Sequence, residues 1–289
     1  MSDDVFESHR RLLAAVAYRM LGSYSEAEDI VQDAWLRWNS ALKRGTAIDN
    51  PRAYLIQVVS RLALDQLRSA RNRHESYVGP WLPEPIATPP TTDDPAESAE
   101  RADSASLGML VMLESLSPAE RVVYVLREAF GLPSAEVARI LDKSDAAVRQ
   151  LSKRAQDHVD ERRSRFDADP TKRREATKRF LSAATSGDLA ELLRLLDPDA
   201  KLVVDTDGRV RGPKRVIESA DKIGRLFAAI VDEIPAGATV QFVDVNSEPA
   251  AVMYVDGEAI TVFHLEVAGD RIVEIYWVAN PGKLGRVAA

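Results

Sequence analysis

The sequence predicts a multidomain chain: two all-α units joined by a proline-rich linker, the second carrying a helix-turn-helix, then an α+β domain. Three observations carry this reading. Apolar residues recur at helical spacing over residues 1–78 and again over 101–165. Between them, residues 79–100 read GPWLPEPIATPPTTDDPAESAE, with proline too dense for a helix or a central strand, so the segment is expected to be extended and semi-rigid. Over 168–289 the pattern changes class, from two helices to short runs of β-type residues.

The first helix is expected over Val5 to Leu21, with Phe6, Leu13, Val16, Ala17 and Met20 on one side and Gly22-Ser23 as its stop. From Ser25 to Trp38, the residues Ala27, Ile30, Val31, Ala34, Trp35 and Trp38 follow a 3.6 period and are expected in the core. Beside them runs a second stripe, Asp29, Gln32, Asp33 and Leu36, which sets two carboxylates and a leucine on a solvent face. After a loop from Lys43 to Asp49, Asn50 caps and Pro51 opens a third helix. Its apolar side holds Leu55, Val58, Val59 and Leu62. Its polar side holds Gln57, Arg61, Asp65, Arg68 and Arg71 and stays basic through Arg73 and His74, a face suited to a phosphate backbone.

Trp81 and Leu82 are unusual in a linker, because a solvated spacer gains nothing from them, and they mark a docking contact. Helix is expected to resume near Arg101, and Ser117, Pro118 and Glu120 form a capping-box start to a helix through Val122, Val123 and Leu126. The stretch from Gly131 to Ala155 then reads as a helix-turn-helix. Ser134 caps a short helix with Val137, Ala138 and Leu141 on one face, and Asp142-Lys143 makes the break. Ser144 caps the second helix, in which Val148, Leu151 and Ala155 share one side while Asp145, Ala146, Arg149, Gln150, Lys153 and Arg154 point away. Arg can pair two acceptors on guanine and Gln two groups on adenine, so Arg149 and Gln150 are the base-reading candidates, with Lys153 and Arg154 on phosphate.

In the last part, a basic helix (Thr171 to Ala184) and a leucine-rich one (Asp188 to Leu196) precede β-type runs at Leu202 to Asp205, Val240 to Val245, Ala251 to Val255, Ala259 to Val267 and Ile272 to Val278. Asp256-Gly257 and Gly269-Asp270 are hairpin turns, so an antiparallel meander is expected.

Composition removes several function classes. With no cysteine and four histidines among 289 residues, no disulfide or thiolate metal site is possible, and neither metal nor cofactor is expected. No apolar run approaches the ~20 residues that span a bilayer, and Met1 is followed by Ser-Asp-Asp rather than a leader-like stretch, so the cytoplasm is the expected compartment, with no membrane partner. The net charge of −7 argues against unaided grip on DNA, since non-specific affinity grows with the phosphates neutralised. A partner such as RNA polymerase would supply that grip.

The stretches SEAEDIVQDAWLRW (25–38), NPRAYLIQVVSRLALDQLRSARNR (50–73), LSPAERVVYVLREAFGLPSAEVARIL (116–141) and SDAAVRQLSKRA (144–155) together resemble extracytoplasmic-function RNA polymerase sigma factors, from the start of the chain to about Arg165. The resemblance implies a sigma-2 domain, a sigma-4 domain, and core RNA polymerase (β′ clamp and β flap) and promoter DNA as partners. By it, Asp29, Gln32, Asp33 and Leu36 dock on the clamp. Asn50 and its loop, with Arg61, Asp65, Arg68 and Arg71, melt and hold the minus-10 element. Ser144, Asp145, Arg149, Gln150, Lys153 and Arg154 read the minus-35 element. Trp81-Leu82-Pro83-Glu84-Pro85 and Asn280-Pro281-Gly282-Lys283-Leu284 resemble the linker and end signatures of the SigJ-like subgroup, which carries a C-terminal SnoaL-like domain of the nuclear-transport-factor-2 cone fold. That subgroup's Asp-Gly-Gly-Gly-Lys motif stands here only as Asp207-Gly208-Arg209-Val210-Arg211. The resemblance implies that the tail contacts the sigma domains and modulates their activity.

SnoaL-like cones also host enzymes, which need a carboxylate or histidine base. Asp205, Asp207 and His264 are the candidates; the two aspartates read equally well as turn residues and His264, between Phe263 and Leu265, as a satisfied histidine, so no catalytic residue is expected. A cone cavity is a ready site for a small-molecule effector, though no residue identifies it. Three functions therefore stay open: a sigma factor with a regulatory tail, a DNA-binding repressor or activator acting without polymerase, and an enzyme with a DNA-binding front.

Overall fold

Three long helices open the chain, and each starts or stops where the sequence supplies a cap. Helix α1 (Ser2–Leu21) ends at Gly22, whose φ of 69° is left-handed. Helix α2 (Tyr24–Lys43) begins with the Ser23 hydroxyl accepting from the Glu26 amide, and α3 (Pro51–His74) with Asn50 Oδ1 accepting from the Ala53 amide at 3.0 Å. The computed structural model describes residues 2–74, 77–88, 106–163 and 169–287. They fall into two compact units, Met1–Glu75 with Leu110–Glu161, and Ser76–Met109 with Arg162–Ala289. The helix expected to resume near Arg101, the linker from Pro89 to Glu100, and the side chains of Arg71, Arg73 and His74 lie outside the described residues.

In the first unit Phe6, Leu13, Val16, Ala17, Met20, Ala27, Val31, Ala34, Trp38, Leu55 and Val59 are buried, as their periodicity predicts. Trp35 is the exception: it was expected in the core and is 36% exposed. It sits at the margin of the arc centred on Ala27, Ala34 and Trp38, beside the acidic stripe, so only part of its ring is covered. Further helices are α4 (Leu107–Glu114), α5 (Pro118–Tyr124), α6 (Ser134–Leu141) and α7 (Asp145–Arg163), with a five-residue π-turn, Val125–Ala129, after α5. Helix α5 opens in the expected capping box of Ser117 and Glu120. Ser134, expected to cap α6, is instead its first helical residue; Pro133 is the cap, because its fixed φ of −61° with ψ of 146° already sets the entry. Asp142, left-handed at φ 50°, makes the break, and the Ser144 hydroxyl accepts from the Ala147 amide at 3.2 Å.

The second unit packs α8 (Pro170–Ser186), α9 (Leu189–Leu195) and α10 (Ala220–Ile230) on a six-stranded sheet in the order β2-β1-β6-β5-β4-β3. The strands are β1 (Leu196–Asp205), β2 (Ile217–Glu218), β3 (Thr239–Val245), β4 (Glu248–Val255), β5 (Glu258–Ala268) and β6 (Arg271–Val278). A simple antiparallel meander was expected. Strands β3 to β6 do form one, turning at Asp256-Gly257 and Gly269, but β1 lies parallel to β6, so the sheet is mixed. A parallel pair needs a crossover, and α10, unassigned from sequence, lies in it. Phe180, Leu192, Leu195, Ile223, Phe227, Leu265 and Ile275 form the core between helices and sheet; burying each large side chain contributes roughly 1.5–3 kcal/mol.

Residues 77–88 pack as part of this unit. Leu82, Pro83, Glu84 and Pro85 are buried, and Ala87 forms a β-bridge with Val245. The Thr88 amide donates to Asp244 O at 2.8 Å, the Asn246 amide to Ile86 O at 2.8 Å, and the Ala87 amide to Arg286 O at 3.1 Å. The described part of the linker is thus a strap on the tail rather than a solvated spacer, with Leu82 fully buried and its amide bonded to Asp205 of the tail.

Candidate nucleic-acid interface

Helix α7 sorts its residues as the helical period requires. Val148, Ala155 and Val159 are fully buried and Leu151 is half-buried, while Ala146, Arg149, Gln150, Lys153 and Arg154 are exposed. Asp145 lies in the first turn and pairs with Arg149 four residues on, which pre-orients the guanidinium on the outer face. Four donor side chains thus stand on one solvent face of a helix fixed from behind, an arrangement that fits a major groove.

On α3 the polar face divides. Asp65 and Arg68 are exposed, 3.6 Å apart. Arg61, expected on the same DNA-facing surface, is held elsewhere: its Nε donates to Ile140 O at 3.0 Å, and its Nη2 to Arg139 O at 3.1 Å and Asp142 Oδ1 at 3.2 Å. A guanidinium there satisfies carbonyls that the end of α6 leaves open and opposes the negative end of its dipole. Residues 46–50, with Tyr54 and Gln57 of α3 and Arg139 of α6, line a cleft of about 290 Å³ in front of Asn50.

On α2, Asp29, Gln32 and Asp33 are exposed, Leu36 is 53% exposed, and Trp35 widens the apolar part of that face. A leucine and a tryptophan held in water beside two carboxylates form a surface suited to a protein partner.

The strap and the end of the chain meet on Asp205. Its fully buried carboxylate accepts from the Tyr77 hydroxyl at 2.5 Å, the Leu82 amide at 2.8 Å and Lys283 Nζ at 2.7 Å. Lys283 also donates to Leu82 O and lies 4.1 Å from the centroid of the Trp81 ring. Asn280 Nδ2 donates to the Tyr77 hydroxyl at 2.9 Å. Burial, followed by the bond to Asp205, pushes the Tyr77 hydroxyl pKa up, so it stays a donor. Asp205 is therefore no turn residue. Asp207 does lie in a turn, at φ 49°, paired with Arg209 at 3.3 Å; at Gly208 (φ 66°) a Cβ would fall 3.0 Å from Val78 Cγ1, so this shortened motif also packs on the strap. Leu284 is buried and Pro281 exposed.

His264, fully buried on β5, lies 3.2 Å from both Glu248 and Glu266, whose carboxylates also pair with Arg173 of α8. Burial disfavours the imidazolium, but the bonds to the two glutamates prevail and raise its pKa to about 9. Two carboxylates, an imidazolium and a guanidinium close into a neutral quartet. Although the carboxylates and imidazole have metal-ligand chemistry, the guanidinium already pairs with both carboxylates. Among the described residues, no helix is long and apolar enough to cross a membrane.

Residues 5–73 match the model of sigma-70 region 2, and residues 107–158 that of sigma-70 region 4. The extracytoplasmic-function RNA polymerase sigma factor SigJ of Mycobacterium tuberculosis is 38% identical over 288 residues, covering 96% of this chain and 91% of that one. A probable extracytoplasmic-function sigma factor of the same organism, SigI, is 34% identical over 289 residues, covering 98% and 95%. The crystal structure of Mycobacterium tuberculosis SigJ matches with a TM-score of 0.75 at 37% identity, over 96% of each chain.

Proposed function

Because the chain belongs to the extracytoplasmic-function RNA polymerase sigma factors, which bind core polymerase and direct promoter-specific initiation, we propose which of its surfaces performs each task. Helix α7 reads the minus-35 element as duplex. The observation that carries this is the row Arg149, Gln150, Lys153 and Arg154, exposed opposite the buried Val148, Ala155 and Val159. Each good bidentate base contact contributes ~1–3 kcal/mol of discrimination. The loop before Asn50, its cleft, and Asp65, Arg68 and Arg71 of α3 serve the minus-10 element. Arg61 joins them only after its bonds to the end of α6 break, so the arrangement described is a resting one. The stripe Asp29, Gln32, Asp33 and Leu36, with Trp35, docks on the β′ clamp, and the second sigma domain takes the β flap. We assign residues 1–78 to sigma-2, 101–165 to sigma-4 and 168–289 to the regulatory tail, with 79–100 as the joint between them.

The tail modulates initiation through the strap, since Tyr77 follows the DNA-facing α3 by three residues and is bonded to Asp205 and Asn280. Catalysis is not part of this reading: Asp205 and His264 are tied into buried ion pairs, and Asp207 lies in a surface turn. The test is run-off transcription by core polymerase with the full chain and with Tyr77→Phe, which loosens the strap but keeps the Lys283–Asp205 pair. A several-fold change in yield is expected. Identical yields would take the tail out of control of initiation.

A further inference from the structure

The first helix of the tail is basic in an acidic chain. Helix α8 carries Lys172, Arg173, Arg174, Lys178 and Arg179 against a single carboxylate, Glu175, while the whole chain has a net charge of −7. The bias begins earlier in the sequence, where Arg162, Arg163 and Arg165 stand against Asp167 and Asp169. The cations of α8 divide by partner. Arg173 is buried and faces Glu248 and Glu266. Arg174 pairs with Asp244 at 2.7 Å and Arg179 with Glu191 at 2.8 Å, in partly exposed pairs that add little to stability. Lys172 and Lys178 are exposed, and among the described residues neither is paired with a carboxylate. Lys178 lies over the Phe242 ring of the edge strand β3, 5.9 Å from its centroid, which holds the ammonium in place without neutralising it.

Chain length keeps this face near the helix-turn-helix. From Arg154 to the end of α7 at Arg163 the helix rises about 14 Å. From Arg163 to Pro170, where α8 begins, even a fully extended chain spans at most about 25 Å. The first turn of α8 is therefore within about 40 Å of Arg154, a little more than one turn of duplex (about 34–36 Å). Once α7 lies in a major groove, the phosphates that flank its site are the dense anionic surface within that reach, and unpaired ammonium groups bind them by releasing condensed counterions. Such contacts position a protein on DNA without reading its sequence.

We propose that Lys172 and Lys178 bind backbone phosphates of the duplex flanking the minus-35 element, giving the tail a sequence-independent grip on the promoter beside the base readout of α7. Arg174, one turn before Lys178, and Arg179, the residue after it, join them by exchanging their surface carboxylates for phosphate. The proposal rests on α7 occupying the groove, and the test separates the two.

Core polymerase loaded with the full chain is titrated onto a promoter duplex selected from genomic fragments, at several salt concentrations. The paired substitution Lys172→Gln with Lys178→Gln should weaken binding about three- to tenfold and lower the slope of log affinity against log salt by about two, with the minus-35 base preferences unchanged. Methylphosphonates that neutralise single phosphates within about one turn outside the element should weaken the wild type several-fold at specific positions and leave the double variant unaffected there. Lys201→Gln with Lys222→Gln removes the same charge from exposed positions elsewhere on the tail and should stay within about twofold, with cooperative melting confirming the fold of each variant. Unchanged affinity and salt slope on losing Lys172 and Lys178, an equal loss from the control pair, or flanking methylphosphonates acting equally on wild type and double variant would each overturn the proposal. Arg149→Ala, run alongside, tells which reading fails. If it loses discrimination at a minus-35 base while the Lys172 and Lys178 substitutions are silent, only the phosphate contact falls; undiminished discrimination overturns both.

Discussion

The two units place their charged side chains differently. In the first, Asp29, Asp33, Arg149, Lys153 and Arg154 stand in water on helices anchored from behind, and Arg149 pairs with Asp145 of its own helix. In the second, Asp205, Lys283, Arg173, Glu266 and His264 are buried and answered by one another. Exposed charges cost little to keep and little to remove, whereas a buried charge holds structure only while its counter-charge is present. Mutation should therefore separate the two regions: stability changes in the tail, and binding changes without stability changes in the front.

The largest effect is expected at Lys283. Lys283→Met strands the fully buried Asp205 carboxylate and should cost about 3–5 kcal/mol in denaturant unfolding of the tail, with Asp205→Asn in the same chain restoring part of it. A silent Lys283→Met would end the comparison.

Titration of His264 sharpens it. The folded pKa of about 9 lies above the unfolded 6.5, so its stabilisation is fully present below pH 6.5 and is lost as pH rises through 9. Tail stability should fall by about 3 kcal/mol across that window, and His264→Gln should flatten the slope in melts at stepped pH.

Arg61 is half-buried and joins the two sigma regions within the first unit. Arg61→Ala should lower the stability of that unit by about 1 kcal/mol, read as a shifted melting midpoint. At the exposed end of the scale, Asp33→Ala should leave stability within about 0.5 kcal/mol while weakening core polymerase binding several-fold in a direct binding titration. A loss of fold there would mean that the stripe is structural.

The front of the molecule was legible in the sequence because its information is local. A 3.6 period places Val148 and Ala155 inside and Arg149 and Lys153 outside without reference to the rest of the chain. The same rule misplaces Trp35, since a period fixes the centre of a buried arc but not its edge. It is also silent on Arg61, whose acceptors are the backbone carbonyls of Arg139 and Ile140 about 80 residues on. In the tail five of the six strands were legible from their β-branched runs; the two-residue β2 was too short to read, and the parallel pairing of β1 with β6 was not legible. Helix α10 had a usable signal in Ala220, Ile223, Gly224 and Phe227, all buried at i, i+3, i+4 and i+7. Asp205 could not be read: its partners Tyr77 and Lys283 lie 128 and 78 residues away, and only the fold brings them together. The strap motif pointed to a contact without showing that the tail receives it.

The measurement that tests the account most directly is run-off transcription by core polymerase on a promoter selected from genomic fragments, with each minus-35 base changed in turn, for the wild type and Arg149→Ala. The account predicts promoter-dependent transcript from the wild type, with Arg149→Ala giving less of it and losing about tenfold of discrimination at one minus-35 position. If Arg149→Ala still discriminates every base as the wild type does, α7 does not read the promoter as its exposed face implies.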